Sequence, residues 1–133
     1  MNLKHLILFL ILEILSAVTA VLGFRFVHDR LGAILVAGTG FMIVGLVVVI
    51  KSWRWLDKYY SLTFWLGHAH LWLTSLPLFL NRLVYGNDFT KNEVFGLPVA
   101  VIHKYATTIF YLLLAATVID IMRVALKKFR TGR

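Results

Sequence analysis

Residues 31–50 run for twenty positions without a charged side chain. An α-helix rises 1.5 Å per residue, so this run alone covers the ~30 Å hydrocarbon core of a bilayer. Three further apolar runs follow the same pattern. Residues 6–24 carry Glu13 as their only charge, and residues 59–80 carry His68 and His70 but no formal charge. Residues 97–122 have Lys104 near the start and Asp120 near the end. The pattern predicts an all-α integral membrane protein, a single domain that is a four-transmembrane-helix bundle. Its helices lie at about 6–24, 31–50, 59–80 and 97–122, with a basic tail at 123–133.

Composition supports lipid as the solvent. Of 133 residues, 60% are hydrophobic and only 15% charged, against about half and a quarter in soluble domains. A soluble fold of this size has too much surface for its volume to hide that much apolar area. The chain has no cysteine, which excludes disulfides and iron–sulfur ligation by thiolate. The net charge of +8 sits between apolar runs, so it reads as topology and affinity for anionic headgroups rather than for nucleic acid. Lys4, an apolar stretch and the small residues at 16–20 resemble a cleaved leader, but Glu13 interrupts that stretch. We read it as a membrane helix.

Lysine and arginine set the orientation. Lys4, Lys51, Arg54, Lys58, Arg123, Lys127, Lys128, Arg130 and Arg133 fall on one side. Arg25, Arg30, Arg82, Lys91 and Lys104 fall on the other. The heavier side is expected to be cytoplasmic, placing the N- and C-termini inside, in a bacterial inner membrane. Trp53, Trp55, Tyr59 and Tyr60 form an aromatic belt at a headgroup boundary. The loop at 81–96 combines the turn residues Gly86, Asn87 and Asp88 with Phe89, Val94 and Phe95, and is expected to fold back on the bundle. The basic tail is a stop-transfer flank that can also grip anionic lipid headgroups.

Glu13 is the sharpest chemical feature, because an ionisable group in a membrane helix is a functional hypothesis by default. At 100° per residue, Ser16, Ala17 and Ala20 lie within about 60° of it. Small residues let helices approach closely in lipid, so Glu13 is expected to face the bundle interior. There it is either a proton or cation site or a hydrogen-bonding lock between helices. In the third run, His68 and His70 are two residues apart and face opposite ways. His70 shares its face with Thr63, Gly67, Thr74, Pro77 and Asn81, a polar and small stripe. Pro77 removes the helical bond to the carbonyl of Leu73. Glu13 and His70, each about 10–15 Å from the cytoplasmic edge of its helix, could meet as a buried Glu/His centre, with Asn81 further along the same stripe. In the second run, Ala33, Ala37 and Gly38 mark a close-packing surface, as Ser16 and Ala20 do in the first.

The redox alternative is b-type haem held by His68 or His70 together with His103. His103 enters from the opposite side, about 12–15 Å away along the helix axes, too far to share one iron. Zinc or copper on the same trio meets the same distance. No cofactor or metal is therefore expected, and no nucleophile elbow, HExxH, P-loop or CxxC motif occurs.

Four short helices with a glutamate in the first resemble the small multidrug resistance transporters. The resemblance implies that Glu13 matches that family's substrate- and proton-binding glutamate, and that Trp65-Leu66-Gly67 matches its Trp-x-Gly. The longer third loop, the two histidines and the strong Lys/Arg bias depart from the family, so the likeness is one of architecture. The sequence thus predicts a non-enzymatic inner-membrane protein. It would act as a homo-oligomer or beside other membrane subunits, either in proton- or cation-coupled transport or as an accessory subunit.

Overall fold

The computed structural model describes residues 2–56 and 61–132. Lys58, Tyr59, Tyr60, Arg133 and the Trp55 side chain, which entered the charge count or the aromatic belt, lie outside the described part. The first run forms α1 (Leu3–Phe26), capped by the Asn2 side chain, which accepts from the Lys4 N–H at 3.0 Å. The second forms α2 (Arg30–Trp55), capped by Asp29, which accepts from the Gly32 N–H at 2.6 Å. Short polar side chains suit these positions because the first N–H groups of a helix have no partner of their own.

The third run is one helical column in three parts: α3 (Leu62–Ala69), a π-helical turn (His70–Ser75) and α4 (Leu76–Tyr85). The π turn ends where Pro77 would interrupt an α-helix. Leu76 N–H reaches back five residues to the Leu71 carbonyl, and the Thr74 hydroxyl donates to the His70 carbonyl at 2.6 Å. The inserted residue absorbs the bond that proline cannot make. The fourth run forms α5 (Val99–Arg130), which continues well past position 122. At 32 residues it spans about 48 Å, more than a hydrocarbon core.

Three of these helices, α1, α2 and α5, are long and apolar enough to cross a membrane. The four columns run up and down. Ser16 lies against Gly40 and Gly23 against Ala33 and Val36. Gly45 lies against Leu71 and Gly38 against Phe79. Gly67 presses so closely on Val48 that a Cβ there would collide with it. Ala33 and Ala37 are buried in this α2 surface. The antiparallel order brings the start of α1 and the end of α5 to the same end of the bundle.

Each end has its own apolar cluster. Leu6, Phe9, Val44, Val48, Leu56, Phe64 and Leu113 pack near the termini. Ile34, Leu78, Phe89, Val99 and Ile102 pack at the far end. Phe89 belongs to the 81–96 connection, which does fold back. It contains a 3₁₀ turn (Gly86–Lys91) and a two-residue hairpin, β1 (Glu93–Val94) with β2 (Leu97–Pro98). The hairpin turn holds Phe95 and Gly96 at φ 55° and 73°, the pair of positive φ values that a tight two-residue hairpin turn requires. Much of the outer surface is apolar, with Val21, Phe24, Tyr111 and Val84 all more than half exposed, as a lipid-facing mantle requires.

Candidate functional site

Glu13 is completely buried, and its Oε1 accepts from the Thr117 hydroxyl on α5 at 2.8 Å. Thr117 in turn lies 3.4 Å from the Thr63 hydroxyl on α3. Thr63 then donates to Asp120 Oδ2 twice, from its hydroxyl and its backbone N–H, both at 2.9 Å. The Ser61 hydroxyl also donates to that oxygen, at 3.0 Å. Asp120 Oδ1 accepts from Arg123 Nη1 at 3.3 Å. Thr63, Thr117 and Asp120 are fully buried, whereas the Arg123 side chain is about half exposed. The polar residues therefore form one chain across three helices, from Glu13 towards the end of the bundle that holds the termini.

The local reason for each link is visible. Thr117 and Asp120 are three residues apart and so share one face of α5. Ser61 caps α3, accepting from the Phe64 N–H at 3.1 Å. The Asp120 carboxylate lies against the same helix start, where the helix dipole favours a negative charge. Asp120 and Arg123, three residues apart on α5, form an ion pair, but the larger role of Asp120 is to tie α5 to α3. Spacing within one helix could not reveal Thr63, Thr117 and Ser61 as partners. The available signals were the buried-face position of Thr63 and the Asp120–Thr117 interval. Glu13 Oε2 and the Ser16 hydroxyl on the next turn have no hydrogen-bond partner among the described residues.

His70 is also buried, but it belongs to a different environment. Its Nε2 lies 3.3 Å from the Phe41 carbonyl and 3.0 Å from the Ser75 hydroxyl. A carbonyl only accepts, so Nε2 carries the proton and Nδ1 presents a lone pair. That Nδ1 has no partner among the described residues. In a regular α-helix, seven residues make about two turns, so Ser75 would fall on the face of His68. The π turn adds a residue to the helical register and rotates Ser75 onto the His70 side. Phe41 and Phe110 flank the imidazole, with ring centroids 6.2 Å and 5.5 Å away.

The structure does not join Glu13 to His70. His70 packs at the level of Phe110, while Glu13 bonds Thr117, seven residues further along α5, or about 10 Å of helix rise. The expectation of matching depth is corrected: each run begins at a different height, and α1 extends further towards the N-terminus than hydropathy indicated. Asn81 joins neither residue. Its amide donates to the Phe89 carbonyl at 2.9 Å and pins the folded-back connection.

Between the columns, on the side away from the termini, lies a cavity of about 640 Å³. His70 and Ser75 line it, as do Ala20 of α1 and Ala37 and Gly38 of α2. Arg30, Arg82 and His103 also line it, and none of its lining residues is acidic. Ala17 and Leu114 line it as well, and they lie on α1 and α5 about one turn from Glu13 and Thr117. The chamber thus approaches the buried chain from the opposite end.

His70 and His103 share this chamber, but His103 precedes Phe110 by seven residues, again about 10 Å of rise. One haem iron needs both ring nitrogens within a few ångströms, and His70 Nε2 is committed to a carbonyl. His68 does not line the chamber. Its Nδ1 accepts from Trp72 Nε1 at 3.3 Å, and its ring lies against Phe64. The donor set does not fit a bis-histidine haem. No protein-family model matches the chain, and no characterised protein or solved structure matches it.

Proposed function

We propose that this protein is a proton-coupled membrane transport protein with Glu13 as its proton site. The observation that carries the reading is the buried chain from Glu13 through Thr117 and Thr63 to Asp120 and Arg123. Hydroxyls both donate and accept, so a line of them can pass a proton between carboxylates. The Thr63–Thr117 step, at 3.4 Å, is beyond ordinary O–H···O length and is the point at which the chain is open. The chamber on the far side gives a solute access to within about a turn of Glu13.

The proposal includes four membrane-crossing columns, with α3, the π turn and α4 together forming the fourth span. It also includes cytoplasmic termini in a bacterial inner membrane, supported by the positive-residue bias. The basic end of α5 would lie at anionic headgroups, supported by Lys127, Lys128 and Arg130 in its last turn. The chamber within one chain supports a route inside each copy of any homo-oligomer.

The test is proton flux in proteoliposomes under an imposed pH gradient. Glu13→Gln is expected to abolish flux while the protein still accumulates and stays monodisperse. Wild-type flux in Glu13→Gln would eliminate the coupling role. A second reading, an accessory subunit of a membrane complex, is favoured by the same network acting as a lock among α1, α3 and α5. It predicts that Glu13→Gln fails to accumulate and that a partner subunit co-purifies in mild detergent.

A further inference from the structure

Arg82 is the most unusual charge in the molecule. It sits on α4 and is only 8% exposed. Its guanidinium does not reach outward: Nη1 lies 3.3 Å from where a Cβ at Gly38 would stand. Gly38 is eight residues into α2, so the group lies about 12 Å of helix rise inward from Arg30. Arg82 Nε has no hydrogen-bond partner, and no carboxylate pairs with this side chain among the described residues. The Phe89 ring lies 5.6 Å from the guanidinium carbon. The nearby acids are committed elsewhere. Asp29 accepts from the Gly32 N–H, and Asp88 pairs with Lys91 at the surface. A buried guanidinium without an anion is strongly unfavourable.

The chamber around Arg82 is lined mainly by apolar side chains and has the volume of a small-molecule site. Its wall is thin between α1 and α5. Val21 and Tyr111 line the chamber and are both 66% exposed. A second, wholly apolar hollow on that seam shares Ala17, Val21 and Leu114 with the chamber. An occupant could therefore arrive sideways from lipid.

We propose that this chamber binds a single-chain anionic amphiphile of the long-chain carboxylate class. The carboxylate would meet the Arg82 guanidinium, whose planar fork matches two carboxylate oxygens, and the hydrocarbon chain would fill the apolar space towards the α1–α5 seam. Arg30 adds positive charge to the same wall. Gly38 makes the site possible by leaving room for the guanidinium beside Phe79. The inference is independent of the proton reading, since Glu13 lines no part of the chamber.

Binding is measured on the purified full chain in nanodiscs of zwitterionic lipid, with radiolabelled oleate as probe. Oleyl alcohol, oleylamine, sodium acetate and diacyl phosphatidylglycerol serve as competitors. The expected result is saturable one-to-one binding of oleate, with oleyl alcohol and oleylamine at least tenfold weaker and acetate without effect. Arg82→Gln is expected to weaken oleate at least tenfold, with Arg82→Lys intermediate. Thr107→Trp, which keeps Arg82 and adds an indole at the chamber wall, should abolish binding. Equal affinity for oleate and oleyl alcohol, or no saturable oleate binding, would overturn the proposal on the wild-type protein alone. Displacement by acetate would assign the site to small free anions. Displacement by phosphatidylglycerol at equal affinity would assign it to bilayer lipid. Either result also overturns the proposal.

Discussion

The two halves of this bundle are built from the same four columns but treat buried polar groups in opposite ways. Near the termini, Glu13, Thr117, Thr63, Ser61 and Asp120 knit three helices together, and Gly67 lets α3 press against Val48 on α2. In the far half the columns separate around a chamber, and the buried Nδ1 of His70 and Nε of Arg82 have no partners there. Lipid contributes no hydrogen bonds, so a protein in it must satisfy its own polar groups. The first half meets that demand except at Glu13 Oε2 and the Ser16 hydroxyl, and is built to hold. The second leaves it partly unmet and is built to receive.

If that contrast is right, the largest loss comes from the hub of the closed half. Asp120→Ala removes the acceptor for Ser61, for the Thr63 hydroxyl and N–H, and for Arg123 at once. Arg123 is half exposed and can turn outward, but the Ser61 hydroxyl and the Thr63 hydroxyl and N–H are left buried without an acceptor; at about 1–3 kcal/mol for each buried donor left unpaired, a drop of about 3–5 kcal/mol is expected in denaturant unfolding followed by circular dichroism in mild detergent. A loss below about 1 kcal/mol, the net value of one ordinary hydrogen bond, would show that the network does not hold the helices.

The next effect is steric. Gly67→Ala drives a methyl into Val48 and is expected to cost about 1–3 kcal/mol, the usual range for overpacking. The double variant Gly67→Ala/Val48→Ala should recover part of it, which a backbone-entropy effect would not do. Thr117→Val keeps the shape of the side chain and removes its hydroxyl. It leaves Glu13 Oε1 without its donor and is expected to cost about 1–3 kcal/mol. It should also cut the proton flux through Glu13 at least tenfold. Flux unchanged in Thr117→Val would mean that protons reach Glu13 by way of the chamber instead.

Hydropathy made the four columns legible because each run is long and its interruptions are few. The inward face of Glu13 was legible because helical periodicity places Ser16, Ala17 and Ala20 beside it. The partners of Glu13 were not, because a hydroxyl on α5 or α3 becomes a partner only once the helices are adjacent and in register. Pro77 announced a missing hydrogen bond, but only the folded helix shows it taken up as a π turn that moves Ser75 to His70. Arg82 counted as one more headgroup charge in the sequence. Whether an arginine near a helix end snorkels outward or turns inward depends on the facing residue, and here Gly38 on another helix opens the inward path.

The smallest expected effect is the one that tests whether the far half is truly open. Ala100 lies on α5 at the chamber wall and is exposed. Ala100→Leu adds three carbons where the closed half could not accept one. In a packed core such an insertion costs about 1–3 kcal/mol. At a site with free space the change should stay within about 0.5 kcal/mol, as for substitutions away from packed features. The measurement is the same denaturant curve used for Gly67→Ala, so one carbon added in the closed half is compared with three added in the open half. A loss for Ala100→Leu as large as that for Gly67→Ala would mean that the chamber collapses around its wall in solution. The contrast between a closed and an open half would then have to be abandoned.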